Sequence, residues 1–321
     1  MKITAQPETF PLKGVFTIAR GAKTHAQVLC VQVEKEGVVG RGECLPYARY
    51  GESMQTVMAQ MASLPADFTG AELQELLPAG AARNGVDCAM WDWAAKKAGK
   101  RVWELAGLAP PKPCDTAYTI SLDTPQNMHA QAVQNAHFPL LKVKLGTAED
   151  VPRLEAVRAG APRAQIIVDA NEGWSERIYS DLMPDLQRLG VGLIEQPLPA
   201  AQDEALRRLP RPIPVCADES CHDRQSLPAL VGKYDIVNIK LDKTGGLSEA
   251  LLLREAAQAR GFGIMVGCMV GSSLAMAPAV LVAQGAMITD LDGPLWLKSD
   301  RQPALTFDKQ GLHPPCAALW G

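Results

Sequence analysis

Long apolar runs are missing from this sequence. Its apolar stretches are short and broken by Gly, Pro or charge, so none reaches the ~20 residues needed to span a bilayer as a helix. An excess of one charge is missing too: 32 Lys and Arg face 35 Asp and Glu, a net charge of −3 with a pI near 6.0, which argues against a nucleic-acid or membrane-surface partner. Eight cysteines occur (Cys30, Cys44, Cys88, Cys114, Cys216, Cys221, Cys268 and Cys316), but no Cys-x-x-Cys pair and no regular spacing. A disulfide framework or zinc site is therefore not expected, and free thiols in a reducing cytoplasm are. The opening MKITAQPETFPLKG has no apolar segment followed by a small-residue cleavage site and does not read as a signal peptide. A Gly-rich phosphate loop of the dinucleotide-binding kind is also absent.

What is present is ample core material: 47% of the 321 residues are apolar, enough for one large domain or two ordinary ones. Residues 28–33 alternate like a strand, Glu36-Gly37 breaks the run, and residues 38–42 look like its hairpin partner. Asn84 looks like the cap of a helix whose Val86, Ala89, Met90, Trp93 and Ala94 recur at helical spacing and which Gly99 ends. Pro110-Pro111-Lys112-Pro113 then reads as a linker.

Beyond it a strand–helix beat sets in. Short β-prone runs fall at 118–121, 140–144, 166–169, 192–195, 215–217, 236–240, 263–266 and 287–290, with helix-like stretches at 150–158, 175–189, 201–209, 223–230 and 247–259. Strands spaced so are parallel with crossover helices. Eight of them suggest a closed barrel, with an open doubly wound sheet as the alternative.

The strand ends carry the chemistry. Lys142 and Lys144 close the second run, Asp169 the third, Glu195 the fourth, Asp218 the fifth and Lys240 the sixth. In a parallel barrel these ends meet at one mouth. Three carboxylates there need a counter-charge, and ligation by oxygen alone, without His or Cys, suits Mg²⁺ or Mn²⁺ better than zinc. A salt-bridge network explains any one of these residues more simply; for charged residues at five successive strand ends it explains little, because buried charge is costly. Lys142 and Lys144, two apart, share a face, and their repulsion favours a neutral amine on one of them. Lys240 arrives from the far side, giving two bases on opposite faces of one carbon beside a carboxylate. Lys243 reads as a surface lysine.

The series Lys-x-Lys, Asp-Ala-Asn, Glu-Gln-Pro, Ala-Asp-Glu-Ser and Asn-Ile-Lys-Leu-Asp-Lys-Thr-Gly-Gly resembles the enolase superfamily in its muconate-lactonising subgroup, over nearly the whole chain. The resemblance implies an α/β fold: a modified (β/α)₇β TIM barrel at 111–295 under an α+β capping domain at 1–110, with 296–321 packing on the cap. It implies one metal ion, Mg²⁺ or Mn²⁺, per subunit on Asp169, Glu195 and Asp218. Lys144 and Lys240 become the acid/base pair, and Lys142 assists by binding the substrate carboxylate and lowering the pKa of Lys144. Asp290 and Asp292, in Thr-Asp-Leu-Asp-Gly-Pro, resemble the Asp-x-Asp signature of dipeptide epimerases, which grip a substrate ammonium; in isolation they read as a solvated turn. Thr119, Cys268 and Val270 match substrate-contacting positions. Arg20, in a loop expected to fold over the mouth, matches an arginine that faces the glutamate side chain in epimerases acting on L-Ala-D/L-Glu; alone, it is as readily an ordinary surface arginine. The implied activity is interconversion of L-Ala-L-Glu and L-Ala-D-Glu, a murein-recycling isomerase of the cytoplasm whose partner is a small dipeptide. The alternatives on the same barrel are N-acylamino acid racemase and o-succinylbenzoate synthase, which bind no ammonium. A non-catalytic relative could lose a lysine or a ligand, and none is missing. The oligomeric state stays open, a homo-oligomer included.

Overall fold

A computed structural model describes residues 1–321. The chain opens as an antiparallel sheet in which β1 (Lys2–Ile18) pairs with β2 (Gly21–Lys35), and β2 with β3 (Val38–Cys44). Glu36 and Gly37, with φ of 54° and 74°, make the two-residue turn whose twist suits a hairpin. β1 has no counterpart in the sequence reading. It carries Pro7 and Pro11 and is mostly exposed, which an edge strand tolerates.

Three helices lie next: α1 (Met54–Ala62), α2 (Gly70–Leu76) and α3 (Ala81–Ala98). α3 begins three residues before the predicted cap. Its N-cap is Gly80, and the Ala81 amide donates to Glu52 Oε1 at 2.7 Å, a cap supplied from a distant loop. Asn84 is instead buried inside the helix and donates through Nδ2 to Asp242 Oδ1 at 2.7 Å. Gly99 ends α3 in the left-handed conformation, as expected. α3 presses so closely on β3 that a Cβ at Gly40 would lie 2.1 Å from the Ala89 carbonyl oxygen, and one at Gly42 2.3 Å from that of Gly85. α4 (Val102–Leu105) follows, and the proline segment after it has neither helix nor strand.

Eight parallel strands then pair in chain order: β4 (Tyr118–Ile120), β5 (Leu140–Lys144), β6 (Gln165–Asp169), β7 (Val191–Glu195), β8 (Val215–Ala217), β9 (Ile236–Ile239), β10 (Gly263–Gly267) and β11 (Ile288–Asp290). Every predicted strand end lies within one residue of the observed one. The Ala117 amide donates to the Thr289 carbonyl at 2.8 Å, bringing the last strand to the first, so the sheet is a nearly closed barrel rather than an open one. The crossovers use α5 (Pro125–Gln134), α6 (Asp150–Gly160), α7 (Glu176–Arg188), α8 (Leu227–Leu230), α9 (Leu241–Thr244), α10 (Leu247–Gln258) and α11 (Ser273–Ala283). The helix expected at 201–209 is a 3₁₀ turn over Ala200–Arg207, and that at 223–230 is a 3₁₀ turn running into α8. α11 is buried on all sides and so carries no amphipathic period to read. No helix is long and apolar enough to cross a membrane.

Inside the barrel the period of two places an apolar layer under a charged one. Ile167, Leu193, Cys216, Ile236 and Met265 pack together, with Leu140 and Ile288 against them. Two residues on, along the same strands, stand Asp169, Glu195, Asp218, Asn238, Lys142 and Asp290. The last residues of the chain return to the cap: Trp320 Nε1 donates to the Cys88 carbonyl at 3.0 Å, and Arg41 Nη2 to those of Ala318 and Leu319 at 2.7 and 2.8 Å.

The β3–α3 contact predicts a clear asymmetry between glycines. Gly42→Ala must push backbone against backbone and should cost ~1–3 kcal/mol of stability, whereas Gly70→Ala, with nothing within 4 Å of the added Cβ, should stay within ~0.5 kcal/mol. Urea denaturation of the two variants beside the parent decides it; equal midpoints would refute the packing argument.

Candidate active site

The barrel mouth is built from strand ends. Asp169 and Glu195 end β6 and β7, and Asp218 follows β8; all three are buried, and one oxygen from each lies within 4.8 Å of the others. Four buried lysines surround them. Lys142 Nζ is 2.8 Å from Asp290 Oδ2, to which it donates, and 3.1 Å from Asp169 Oδ2 and 2.6 Å from Glu195 Oε2, the last two without hydrogen-bond geometry. Lys144 Nζ donates to Asp169 Oδ2 at 2.6 Å, and Lys240 Nζ to Asp218 Oδ2 at 2.7 Å. β5 and β9 are four strands apart in an eight-stranded ring, so Lys144 and Lys240 stand across the mouth from one another.

Lys243 corrects the surface reading. It is buried, donates to Asp218 Oδ1 at 2.6 Å and to the Asn238 carbonyl at 3.0 Å, and also reaches the Asp218 carbonyl. It lies in the short α9 directly after Lys240, where no strand period applies, so only the turn of that helix reveals its direction. Asn238 was also missed. It sits two residues before Lys240 and thus faces the same interior, where its Nδ2 donates to Glu195 Oε1 at 2.7 Å. Gly267 makes room for it: a Cβ there would lie 2.7 Å from Asn238 Oδ1.

The charges hold one another in place. Burial opposes ionisation of Asp169, but the Lys144 and Lys142 ammonium groups hold it below the usual carboxylate range; Lys240 and Lys243 do the same, more strongly, for Asp218. Glu195 is pushed up by burial and by the Asp169 charge. Burial likewise opposes charge on Lys142, yet the Asp290, Glu195 and Asp169 carboxylates hold it well above the ordinary lysine value, so repulsion from Lys144 does not make it neutral. Lys240 is held well above by Asp218.

Asp290 and Asp292 are buried rather than solvated, but they do not form a free pair. Asp290 Oδ2 accepts from Lys142, and Asp292 Oδ2 from the Thr119 amide at 2.7 Å. Burial, then the Asp290 charge, pushes Asp292 up to about 6. Cys268 follows β10, and burial pushes its thiol well up, which suits a packing role. Val270 packs with Leu12, Trp296 and their neighbours. Arg20 does lie over the mouth, but its guanidinium is engaged: Nη2 with Glu219 Oε1 at 2.6 Å, Nη1 with the Asn171 carbonyl at 2.6 Å and Glu172 Oε2 at 3.1 Å. Phe16, near the end of β1, places its ring centroid 5.9 Å from Lys144 Nζ.

Native proteins leave few buried polar atoms unpaired. Here Glu219 Oε2, Asp290 Oδ1, Asn171 Oδ1 and Asn238 Oδ1, all acceptors around one mouth, lack hydrogen-bond partners, and Glu195 Oε2 has only the Lys142 charge beside it. Such a concentration is matched to a cation and to a ligand bearing N–H groups. The three carboxylates fit a divalent cation that prefers oxygen, the donor set of magnesium.

Fold and site together define an enzyme of the enolase superfamily and, within it, an isomerase. The chain belongs to the mandelate racemase / muconate lactonizing enzyme family: residues 1–107 match that family's N-terminal domain, and residues 127–311 match an enolase C-terminal domain-like region. It is 47% identical over 312 residues to the L-Ala-D/L-Glu epimerase of Escherichia coli K12, covering 95% of this chain and 97% of that one. It is 48% identical over 301 residues to the N-acetyl-D-glutamate racemase of a Pseudoalteromonas species, covering 92% and 95%. A crystal structure of an enolase family member from Agrobacterium tumefaciens, described as having homology to dipeptide epimerases and bound to sodium and L-Ala-L-Glu, superposes with a TM-score of 0.97 at 50% identity over 99% of both chains.

Two residues beyond Lys240, Asp242 is fully buried at the seam between cap and barrel, accepting from the Leu45 amide at 2.9 Å and from Asn84. Burial raises its carboxyl to about 7, against the pull of those two donors. The fold therefore keeps a proton that the unfolded chain releases near pH 4, so stability is lost as pH rises from about 4 to about 7. The unfolding free energy of the parent should fall relative to Asp242→Asn across that window by at most ~1.4 kcal/mol per pH unit and run parallel to it outside. Urea titrations at a series of pH values check this; parallel curves throughout would contradict it.

Proposed function

We propose that this protein epimerises the C-terminal residue of a dipeptide, interconverting L-Ala-L-Glu and L-Ala-D-Glu, by proton transfer between substrate and two lysines. The observation that carries the reading is the placement of Lys144 and Lys240 across one mouth, each paired to a different carboxylate of the same cluster. Asp169, Glu195 and Asp218 would hold one Mg²⁺, or Mn²⁺ in its stead. That cation, when bound, supplies positive charge for the substrate carboxylate as it becomes an enediolate dianion.

Lys144 and Lys240, each bonded to a carboxylate of that cluster, are the groups that exchange a proton with the substrate α-carbon. Lys144 takes the α-proton from the (R) epimer and Lys240 from the (S) epimer; the opposite lysine returns a proton to the other face. Lys142, held cationic by Asp290, orients the substrate carboxylate. Asp292 and the unpaired Asp290 Oδ1 receive the substrate ammonium, while Thr119, Cys268 and Val270 line its path. Arg20 faces the glutamate side chain. We assign 1–110, joined by 296–321, to a capping domain and 111–295 to the catalytic barrel; the bonds from Trp320 and Arg41 support that grouping. The role is murein peptide recycling in the cytoplasm.

A second reading, racemisation of N-acetylglutamate, has a specific observation behind it. Both carboxylates of the Asp-x-Asp pair already have partners, and the Pseudoalteromonas relative bears that name. Asp292→Asn separates the two readings better than a change at Asp290, which also balances Lys142. A dipeptide epimerase should lose at least ~10-fold in kcat/KM on L-Ala-L-Glu, because an ammonium loses its charged partner, and an N-acetylglutamate racemase should lose almost nothing on its own substrate.

The two-base assignment is read in D₂O. Lys144→Ala should lose ~10²-fold or more of α-proton exchange from the (R) epimer, and Lys240→Ala the same from the (S) epimer, the contribution typical of a positioned base. Chelation of divalent metal should stop both. Wild-type exchange of both epimers in Lys144→Ala would sink the assignment.

A further inference from the structure

Glu172 lies outside the groups just assigned, yet two segments far apart in sequence converge on it. Arg49, in the 3₁₀ turn Ala48–Tyr50, grips it through both oxygens: Nε to Oε2 and Nη2 to Oε1, each at 2.7 Å. Arg20, in the turn between β1 and β2, reaches Oε2 at 3.1 Å and the neighbouring Asn171 carbonyl at 2.6 Å. The Ala200 amide, after β7, donates to Oε1 at 2.9 Å. One carboxylate, its side chain 7% exposed, thus ties both capping segments to the barrel rim. A bidentate guanidinium–carboxylate pair is the strongest common form of such a tie, in both energy and direction.

The backbone is shaped to present it. Asn171 and Glu172 both take positive φ, 46° and 66°, a region that side chains other than glycine's rarely adopt. Strain of this kind collects where a structure needs a particular direction from a side chain or carbonyl. Here it turns the Asn171 carbonyl and the Glu172 carboxylate up toward the cap, while the Asn171 amide still donates back to Asp169 Oδ1 at 2.9 Å. The same short turn therefore holds a candidate metal ligand at one end and the tie to the cap at the other. The contact is close-packed as well: a Cβ at Gly146, on the adjoining rim loop, would lie 2.5 Å from the Ala19 Cβ.

We propose that Glu172 is a positioning residue that holds both capping segments, and Arg20 with them, over the mouth. Its kinetic consequence rests on the dipeptide reading above; its structural consequence does not. Glu172→Gln keeps the shape and the acceptor for Ala200 but removes the charge that both arginines need.

The test is hydrogen–deuterium exchange on the full-length protein, with steady-state kinetics on L-Ala-L-Glu. Glu172→Gln should speed exchange of peptides spanning 15–24 and 46–53 together by about tenfold, leaving peptides from the barrel strands unchanged. Arg49→Gln, at a residue already partly exposed, should speed 46–53 alone. In Glu172→Gln, KM should rise about tenfold with kcat within about twofold, as expected when binding rather than the chemical step is weakened. Exchange at both segments within about twofold of the parent, acceleration of only one of them, or a fall in kcat at constant KM would overturn the proposal. If Glu172→Gln does not fold, unchanged exchange at 46–53 in Arg49→Gln overturns it instead. A parent enzyme that turns over no dipeptide would refute the substrate reading, and the exchange result would still decide the role of Glu172.

Discussion

Every feature of this mouth depends on keeping a dense set of buried charges mutually compensated. Charge buried without a partner costs several kcal/mol per ion, and here Lys142, Lys144, Lys240 and Lys243 are sunk among Asp169, Glu195, Asp218 and Asp290. Each ammonium has at least one carboxylate within 3 Å. The parallel barrel makes this affordable: successive strands deliver their ends to one ring, and the apolar layer of Ile167, Leu193, Cys216, Ile236 and Met265 beneath it keeps the charged layer at the rim. Compensation is not complete, however. The unpaired acceptors that remain are the structural reason to assign a cation and a hydrogen-bonding ligand to this place rather than an inert salt-bridge network.

The cap is registered against that mouth by polar contacts as well as by packing. Asn84 and the Leu45 amide meet Asp242, Arg83 reaches the Thr244 carbonyl at 2.7 Å, and buried Glu43 accepts from the Ser272 amide at 2.8 Å and from Arg301. The bonds to Asp242 and Thr244 fix α3 and the end of β3 over the segment that follows Lys240, and those of Glu43 tie β3 to the start of α11. The two curated relatives named above are both described by a glutamate unit and differ in what is attached to its nitrogen.

Much of this was legible beforehand. Strand ends came within one residue, because short β-branched runs interrupted by Gly and Pro leave little freedom in where a parallel strand can begin. Lys142, Lys144, Asp169, Glu195, Asp218 and Lys240 could be placed at one mouth because strand period and barrel topology together decide which way a strand-end residue points. Long-range pairing was not legible. The cap of α3 comes from Glu52, not Asn84; Lys243 is drawn inward by Asp218 although its neighbours in sequence suggest a surface; and Arg49 and Glu172 carry no periodic signal at all. α11 and β1 escaped for opposite reasons, one buried on every side and the other exposed along an edge.

The sequence by itself therefore determined eight parallel strands, the order of their charged ends and the class of chemistry they imply, since each follows from local periodicity and the valence of the side chains, while closure of the sheet rests on the bond from Ala117 to Thr289. Only the tertiary structure decided which carboxylate each lysine meets, that Asp290 belongs partly to Lys142, and that both capping segments close on Glu172. Those are distances between residues tens to hundreds of positions apart, and no local rule constrains them until the ring closes and the cap is seated on it.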